Sequence, residues 1–234
     1  MTKPKKQIAV VIARSGSKRI PGKNIKIFNG LPIIAWTINA AKKSDLFDHI
    51  LVSTDSDQIA AIAEKFGAEV PFIRPAALSD DLAGTVPVMT HAVDFCQKNG
   101  WYADYFCCLY PCAPFIQVED LIKALHIAII NSSDFVYPVT EYPHPAQRAM
   151  RMLKNGKMEF FNAECEMVRT QDLERSYHDA GQFYWGKSQA WLDGLRMHTD
   201  GLGMAIPHWR VVDIDNGDDW QRAEMIHKTF FLAD

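Results

Sequence analysis

No apolar run in the 234 residues reaches the ~18 positions a membrane-crossing helix needs. Met1–Lys6 has lysines where a secretory leader would begin its apolar stretch, so no leader is expected. The five cysteines (Cys96, Cys107, Cys108, Cys112, Cys165) include no Cys-x-x-Cys pair. Neither a disulfide framework nor a zinc site is expected, and buried thiols in a reducing cytoplasm are. Excess positive charge is also missing: net charge is −3, which leaves no electrostatic footprint for nucleic acid. Lys3, Lys5 and Lys6 read as a frayed basic terminus. Repeats and low-complexity tracts are absent. So are the two familiar glycine loops: Gly16 and Gly22 are six apart, Lys23 precedes Asn24 rather than Ser or Thr, and Gly-x-Gly-x-x-Gly does not occur. A P-loop ATPase and a nicotinamide dehydrogenase are thereby disfavoured.

What is there is ordinary globular composition, 48% apolar and 23% charged, enough for one sizeable core with a small excursion. Ile8–Ile12 reads as a buried parallel strand. It empties into Ala13-Arg14-Ser15-Gly16-Ser17-Lys18-Arg19-Ile20-Pro21-Gly22-Lys23-Asn24, small residues interleaved with four cations. Small residues let backbone N–H groups approach oxyanions that the cations neutralise, so the stretch is a phosphate cradle by chemistry. A solvated basic turn after an edge strand would have the same composition.

Periodicity places helices over 32–43, 56–66, 85–98, 118–130 and 218–227, and strands at 49–53, 70–72, 104–110, 135–139, 182–185, 204–206 and 210–214. Strands alternating with helices mean βαβ units, hence an α/β fold with an open, doubly wound, mostly parallel, Rossmann-like sheet. Ligands then bind beyond the carboxyl ends of the strands, where the cradle falls. The rhythm breaks over Glu141–His178. There 150–153 and 157–161 read as a hairpin around Asn155-Gly156, the other reading being one long surface loop.

Asp213 and Asp215 flank Ile214 on the last expected strand, where i and i+2 share a face. Mg²⁺ between them, a Lys or Arg partner, or plain solvent would each satisfy the pair. Asp218 and Asp219 suit the first turn of the final helix. Arg74-Pro75 is extended, and Ser79-Asp80-Asp81 before Gly84-Thr85 reads as a loop entering a helix cap. His49, His91, His126, His198, His208 and His227 show no metal spacing.

Ile12–Asn24, Arg74-Pro75 with Leu78-Ser79-Asp80-Asp81, Leu109–Phe115 and Val212-Asp213-Ile214-Asp215 occur in the order found in the acylneuraminate cytidylyltransferases, which this chain resembles over nearly its whole length. The resemblance implies a nucleotide-diphospho-sugar transferase type of fold. It implies a single domain over 1–234, with a subdomain at about 141–178 that clasps a second subunit of a homodimer and completes that subunit's sugar pocket. It implies CMP transfer from CTP to a nine-carbon 2-keto sugar acid (a nonulosonic acid), without nucleic-acid or membrane partners. Arg14, Lys18 and Lys23 would hold the triphosphate, supported by Ser17 and Asn24; Arg74, Ala83 and Thr85 would meet cytosine. Asp213 and Asp215 would hold Mg²⁺ or Mn²⁺, with turnover depending on Arg14, Lys23 and Asp215.

The sialate-using members carry Gln, Lys and Arg at the places held here by Tyr110, Gln147 and His178. Tyr110 and the run Tyr177-His178-Asp179-Ala180-Gly181-Gln182-Phe183-Tyr184 are similar to the pseudaminic acid enzymes. The expected sugar contacts are Tyr110, Gln147, His178, Gln182 and Tyr184, with His144 and Arg148 as further candidates. An N-acylneuraminate synthetase, a 3-deoxy-manno-octulosonate cytidylyltransferase and a non-catalytic sugar-nucleotide binder are the alternatives. Octulosonate enzymes usually have Pro where Asn24 stands, and a non-catalytic binder would be marked by loss of Lys23 or of the aspartate pair.

Overall fold

The apolar run near the start of the chain is buried up to Val11 and forms β1 (Gln7–Ile12) in the computed structural model, which describes residues 7–80 and 83–231. Beyond the basic loop, a short hairpin of β2 (Ile27–Phe28) and β3 (Leu31–Pro32) leads into α1 (Ile33–Ser44). Then come β4 (Phe47–Ser53) and α2 (Asp57–Lys65), which starts where the Ser56 hydroxyl accepts from the Ile59 N–H at 3.4 Å. α3 (Thr85–Lys98), β5 (Tyr105–Leu109), α4 (Val118–Ile130) and β6 (Phe135–Glu141) continue the alternation. The hairpin β7 (Met150–Met152) and β8 (Met158–Phe160) interrupts it. β9 (Tyr177–Asp179), β10 (Phe183–Lys187), α5 (Ser188–Leu192), β11 (Gly201–Ala205) and α6 (Gly217–Phe231) complete the chain.

The main sheet has seven strands in the order β11-β6-β10-β5-β1-β4, with β9 also on β6. β11, β6, β5, β1 and β4 run one way; β10 and β9 run against them, so the sheet is mostly parallel. Alternation sends Ala9, Val11, Cys107 and Leu109 to the face covered by α1, α2 and α4. Ile8, Val10, Phe106 and Cys108 face α3 and α5. A third cluster sets Trp220 and Ala223 of α6 against Phe28, Ile33 and Phe115, and Ile20 of the basic loop is buried in it. Gly186 on β10 is needed for close approach: a Cβ there would lie 2.6 Å from the Phe135 ring.

Two expected strands do not form. Residues 70–72 run beside β4 with only isolated bridges (Leu51 to Glu69, Thr54 to Ile73), and Pro71 removes a donor between them. The segment expected as a final strand over 210–214 follows a 3₁₀ turn at His208–Arg210 and pairs with no strand among the described residues. Ile214 nonetheless turns into the core while Asp213 is exposed and Asp215 half-buried, so an i, i+2 side-chain alternation survives. The base of the 141–178 excursion is closed by pairing of Glu141 with Tyr177. Within it the expected hairpin forms, turning at Gly156 with φ +81.

Candidate active site

The carboxyl ends of β1 and β5 open on a cavity of about 890 Å³, and the basic loop forms one wall. The loop is tied down by groups far away in sequence. The Asp55 carboxylate, just past β4, accepts from both the N–H and the hydroxyl of Ser15 at 2.8 Å. The Asn24 amide donates to the Arg14 carbonyl at 2.7 Å, and its oxygen accepts from the Cys112 thiol at 3.1 Å. Gly22 has φ +63, which opens the turn Lys23–Ile25. Arg14, Ser17, Lys18, Arg19 and Lys23 thus share one wall with Asn24, whose side chain is committed to holding the loop.

Arg74 and Thr85 meet in the same cavity from the next segment. Arg74 is only 4% exposed, and its Nε donates to the Ser79 hydroxyl at 3.1 Å. Burial lowers its pKa, nearby Asp55 opposes that, and Arg14 adds to it. The Asp80 carboxylate accepts from the Ala83 N–H at 2.7 Å, while the Asp80 carbonyl accepts from Arg14 at 3.0 Å, joining this segment to the basic loop. Asp81, part of the expected motif, lies outside the described residues.

Tyr110 is fixed through its backbone: its N–H donates to the Gln182 carbonyl at 2.9 Å and its carbonyl accepts from Thr37 at 3.0 Å. Tyr110, His178 and Tyr184 line the cavity, as expected of sugar contacts. Gln182 does not. It is 3% exposed and its amide donates to the Arg210 carbonyl at 2.8 Å, so that its side chain is committed to the backbone at the end of the 3₁₀ turn rather than to the cavity. Gln147 is also elsewhere: in the excursion its amide donates to the Glu174 carbonyl and its oxygen accepts from Ser176. Arg148 reaches Thr170 and Glu166 there, and His144 is exposed; neither lines this cavity.

Asp213 and Asp215 both face the cavity, and the Arg19 guanidinium lies 2.6 Å from Asp215. Two hard carboxylates opposite a wall of phosphate-type cations fit Mg²⁺, which takes one or two carboxylates together with phosphate oxygens and water. Among the described residues no group of three or more His, Cys, Asp or Glu is placed to hold a metal ion. Sequence reasoning passed over Asp55, and it gave no site role to Asp80 and Asp179, named only within their motifs, nor to Trp209 and Arg222. The last four line the cavity and Asp55 holds its loop. Only the place of Asp55 after a strand, at the ligand edge of the sheet, could have signalled it.

A family model described as Cytidylyltransferase matches residues 8–184. The chain is 38% identical over 226 residues to the pseudaminic acid cytidylyltransferase of Campylobacter jejuni, covering 95% of this chain and 97% of that one. It is 31% identical to the N-acylneuraminate cytidylyltransferase of Escherichia coli O18:K1:H7, over 95% of this chain and 52% of that protein. Among solved structures, a CMP:2-keto-3-deoxy-manno-octonic acid synthetase complexed with CTP superposes with a TM-score of 0.68 at 16% identity, covering 96% and 99% of the two chains. That likeness concerns the fold alone.

Proposed function

The chain belongs to the cytidylyltransferase family, and from that premise we propose that it transfers CMP from CTP to the anomeric hydroxyl of pseudaminic acid, releasing pyrophosphate. The observation that carries this reading is one cavity lined by the loop cations, Arg74 with Thr85, and the Asp213–Asp215 pair. Arg14, Lys18 and Lys23 neutralise the triphosphate, with Ser17 beside them. Asn24 acts by holding the far end of the loop against the Arg14 backbone. Arg74 donates to the cytosine O2 and N3 acceptors. The sugar hydroxyl attacks the α-phosphorus in line, the bond to the pyrophosphate oxygen breaks, and the hydroxyl proton is lost. The protein contributes positioning and charge neutralisation. Asp213 and Asp215 would hold Mg²⁺ or Mn²⁺, which when bound supplies further neutralisation of phosphate charge. In this reading the enzyme works in the cytoplasm as a homodimer.

The preference for pseudaminate over N-acetylneuraminate rests on Tyr110 and His178, which line the cavity where the sialate-using members carry Gln and Arg, and on the likeness to a pseudaminic acid cytidylyltransferase. The test is pyrophosphate release from CTP and Mg²⁺ with the two sugars side by side. Pseudaminate should be preferred, and Lys23→Ala or Asp215→Ala should lower turnover by about 100-fold or more. Either variant retaining more than about a hundredth of wild-type turnover would remove its assigned role.

A further inference from the structure

A line of hydrogen-bonded side chains runs from the surface into the cavity and ends on Thr85. At its outer end, His198 Nε2 lies 2.7 Å from Asp179 Oδ2. The Tyr184 hydroxyl donates to the same oxygen at 2.6 Å, and the Gly181 N–H donates to Asp179 Oδ1 at 2.8 Å. Tyr110 packs beside Tyr184, ring centres 5.3 Å apart, with the two hydroxyls interacting, and Tyr110 Oη is 2.8 Å from Thr85 Oγ1. Burial raises the pKa of both phenols, so each keeps its proton across the neutral range.

The direction of every bond in this line follows from its first member. A carboxylate can only accept, so the single hydroxyl proton of Tyr184 is spent on Asp179. The Tyr184 oxygen must then accept from Tyr110, and the Tyr110 oxygen from Thr85. Thr85 has one proton too, now turned away from the cavity, and it presents only lone pairs there. Arg74 is its opposite, a buried group that can only donate. Cytosine offers acceptors at O2 and N3 and a donor at its 4-amino group. Uracil reverses the last two, with a donor at N3 and an acceptor at O4.

We propose that Asp179 is a positioning residue that fixes the direction of this hydroxyl line, making Thr85 an obligatory acceptor and so selecting a 4-amino pyrimidine over a 4-oxo one. The inference rests on the reading above that the base of the nucleotide sits at Arg74 and Thr85. Asp179 touches no nucleotide in this scheme; it acts through two tyrosines.

Asp179→Asn puts an amide donor where only an acceptor stood. The line can then reverse, and the Thr85 proton becomes available to a uracil O4. Tyr110→Phe keeps the ring but frees the Thr85 hydroxyl to rotate, and it serves should Asp179→Asn fail to fold. CTP and UTP are titrated separately by calorimetry into the full-length protein, which needs no sugar. Wild type should bind CTP more tightly, and each variant should shrink the CTP-to-UTP affinity ratio by about tenfold, one hydrogen bond's worth. A purely structural role for Asp179 would weaken both nucleotides alike and leave the ratio standing, which overturns the proposal. A wild type without preference, or without binding, overturns it as well. Wild type that prefers CTP but releases no pyrophosphate with any sugar, with ratios that fall in the variants, would sink the transferase reading and keep the line. Turnover with unmoved ratios would do the reverse.

Discussion

His227 is walled in by Phe28, Trp36 and Phe115, whose ring centres lie 5.2, 4.4 and 5.7 Å from its own. Its imidazole is held neutral: Nδ1 is 3.4 Å from the Asn29 amide, which donates, and the ring also bonds the Pro114 backbone. Burial pushes its pKa down to about 4, only partly opposed by the Pro114 contact. The unfolded chain takes up a proton near the ordinary value of about 6.5, so between 6.5 and 4 it binds more protons than the folded chain. Stability therefore rises with pH through that window and is lost as pH falls, by up to about 3 kcal/mol from this residue. Urea melts at pH 7 and 4.5 on wild type and His227→Gln check it. The variant should show the smaller drop between the two pH values. Equal drops would mean that other groups carry the acid sensitivity; His91, also lowered chiefly by burial, is the first to examine.

At the level of elements, the start of α6 is joined to the aspartate pair. Asn216 Oδ1 accepts from the N–H groups of Asp218 and Asp219 at 2.9 and 3.0 Å, and Asp219 Oδ2 accepts in return from Asn216 and Asp215. This is a reciprocal cap that also holds the Asp215 backbone in place. Asn216→Ala should cost about 1 kcal/mol in a denaturant melt. In the proposed reaction it should also raise the Mg²⁺ concentration needed for half-maximal rate. Lost stability with an unchanged Mg²⁺ requirement would confine the cap to folding. The aspartates of this first turn were legible in the sequence because helix ends follow local rules, and the helical faces were legible from their period. The strand expected over 210–214 was not: an unpaired extended segment has the same apolar alternation, and pairing depends on partners far along the chain. The insertion of β10 between β5 and β6 was hidden for the same reason. Asp179 had no site role legible in the sequence because its importance comes from Tyr184 and His198, brought to it by the fold.

On the scale of the whole molecule, everything assigned to CTP comes from this chain's own cavity, while Gln147, expected at the sugar, sits in the excursion and outside that cavity. The same excursion exposes apolar side chains at a density that a free surface rarely keeps. Met152 is 72% exposed, Phe161 62% and Met167 90%. A second copy seated on this hairpin would cover them and could bring its own Gln147 toward the first copy's sugar end, as the proposed homodimer requires. Charge placed on that surface separates the two levels of organisation. In sedimentation, wild type should run as a dimer and the double variant Met152→Glu, Phe161→Glu as a monomer. Calorimetric affinity for CTP should stay within about twofold, since Arg74, Thr85 and the basic loop lie on one chain. Sugar-dependent turnover should fall by about tenfold or more, with KM for the sugar bearing much of the change. A monomer with full turnover would show that the sugar pocket is complete in one chain and that Gln147 has no part in it. A variant that remains dimeric would move the interface away from the hairpin.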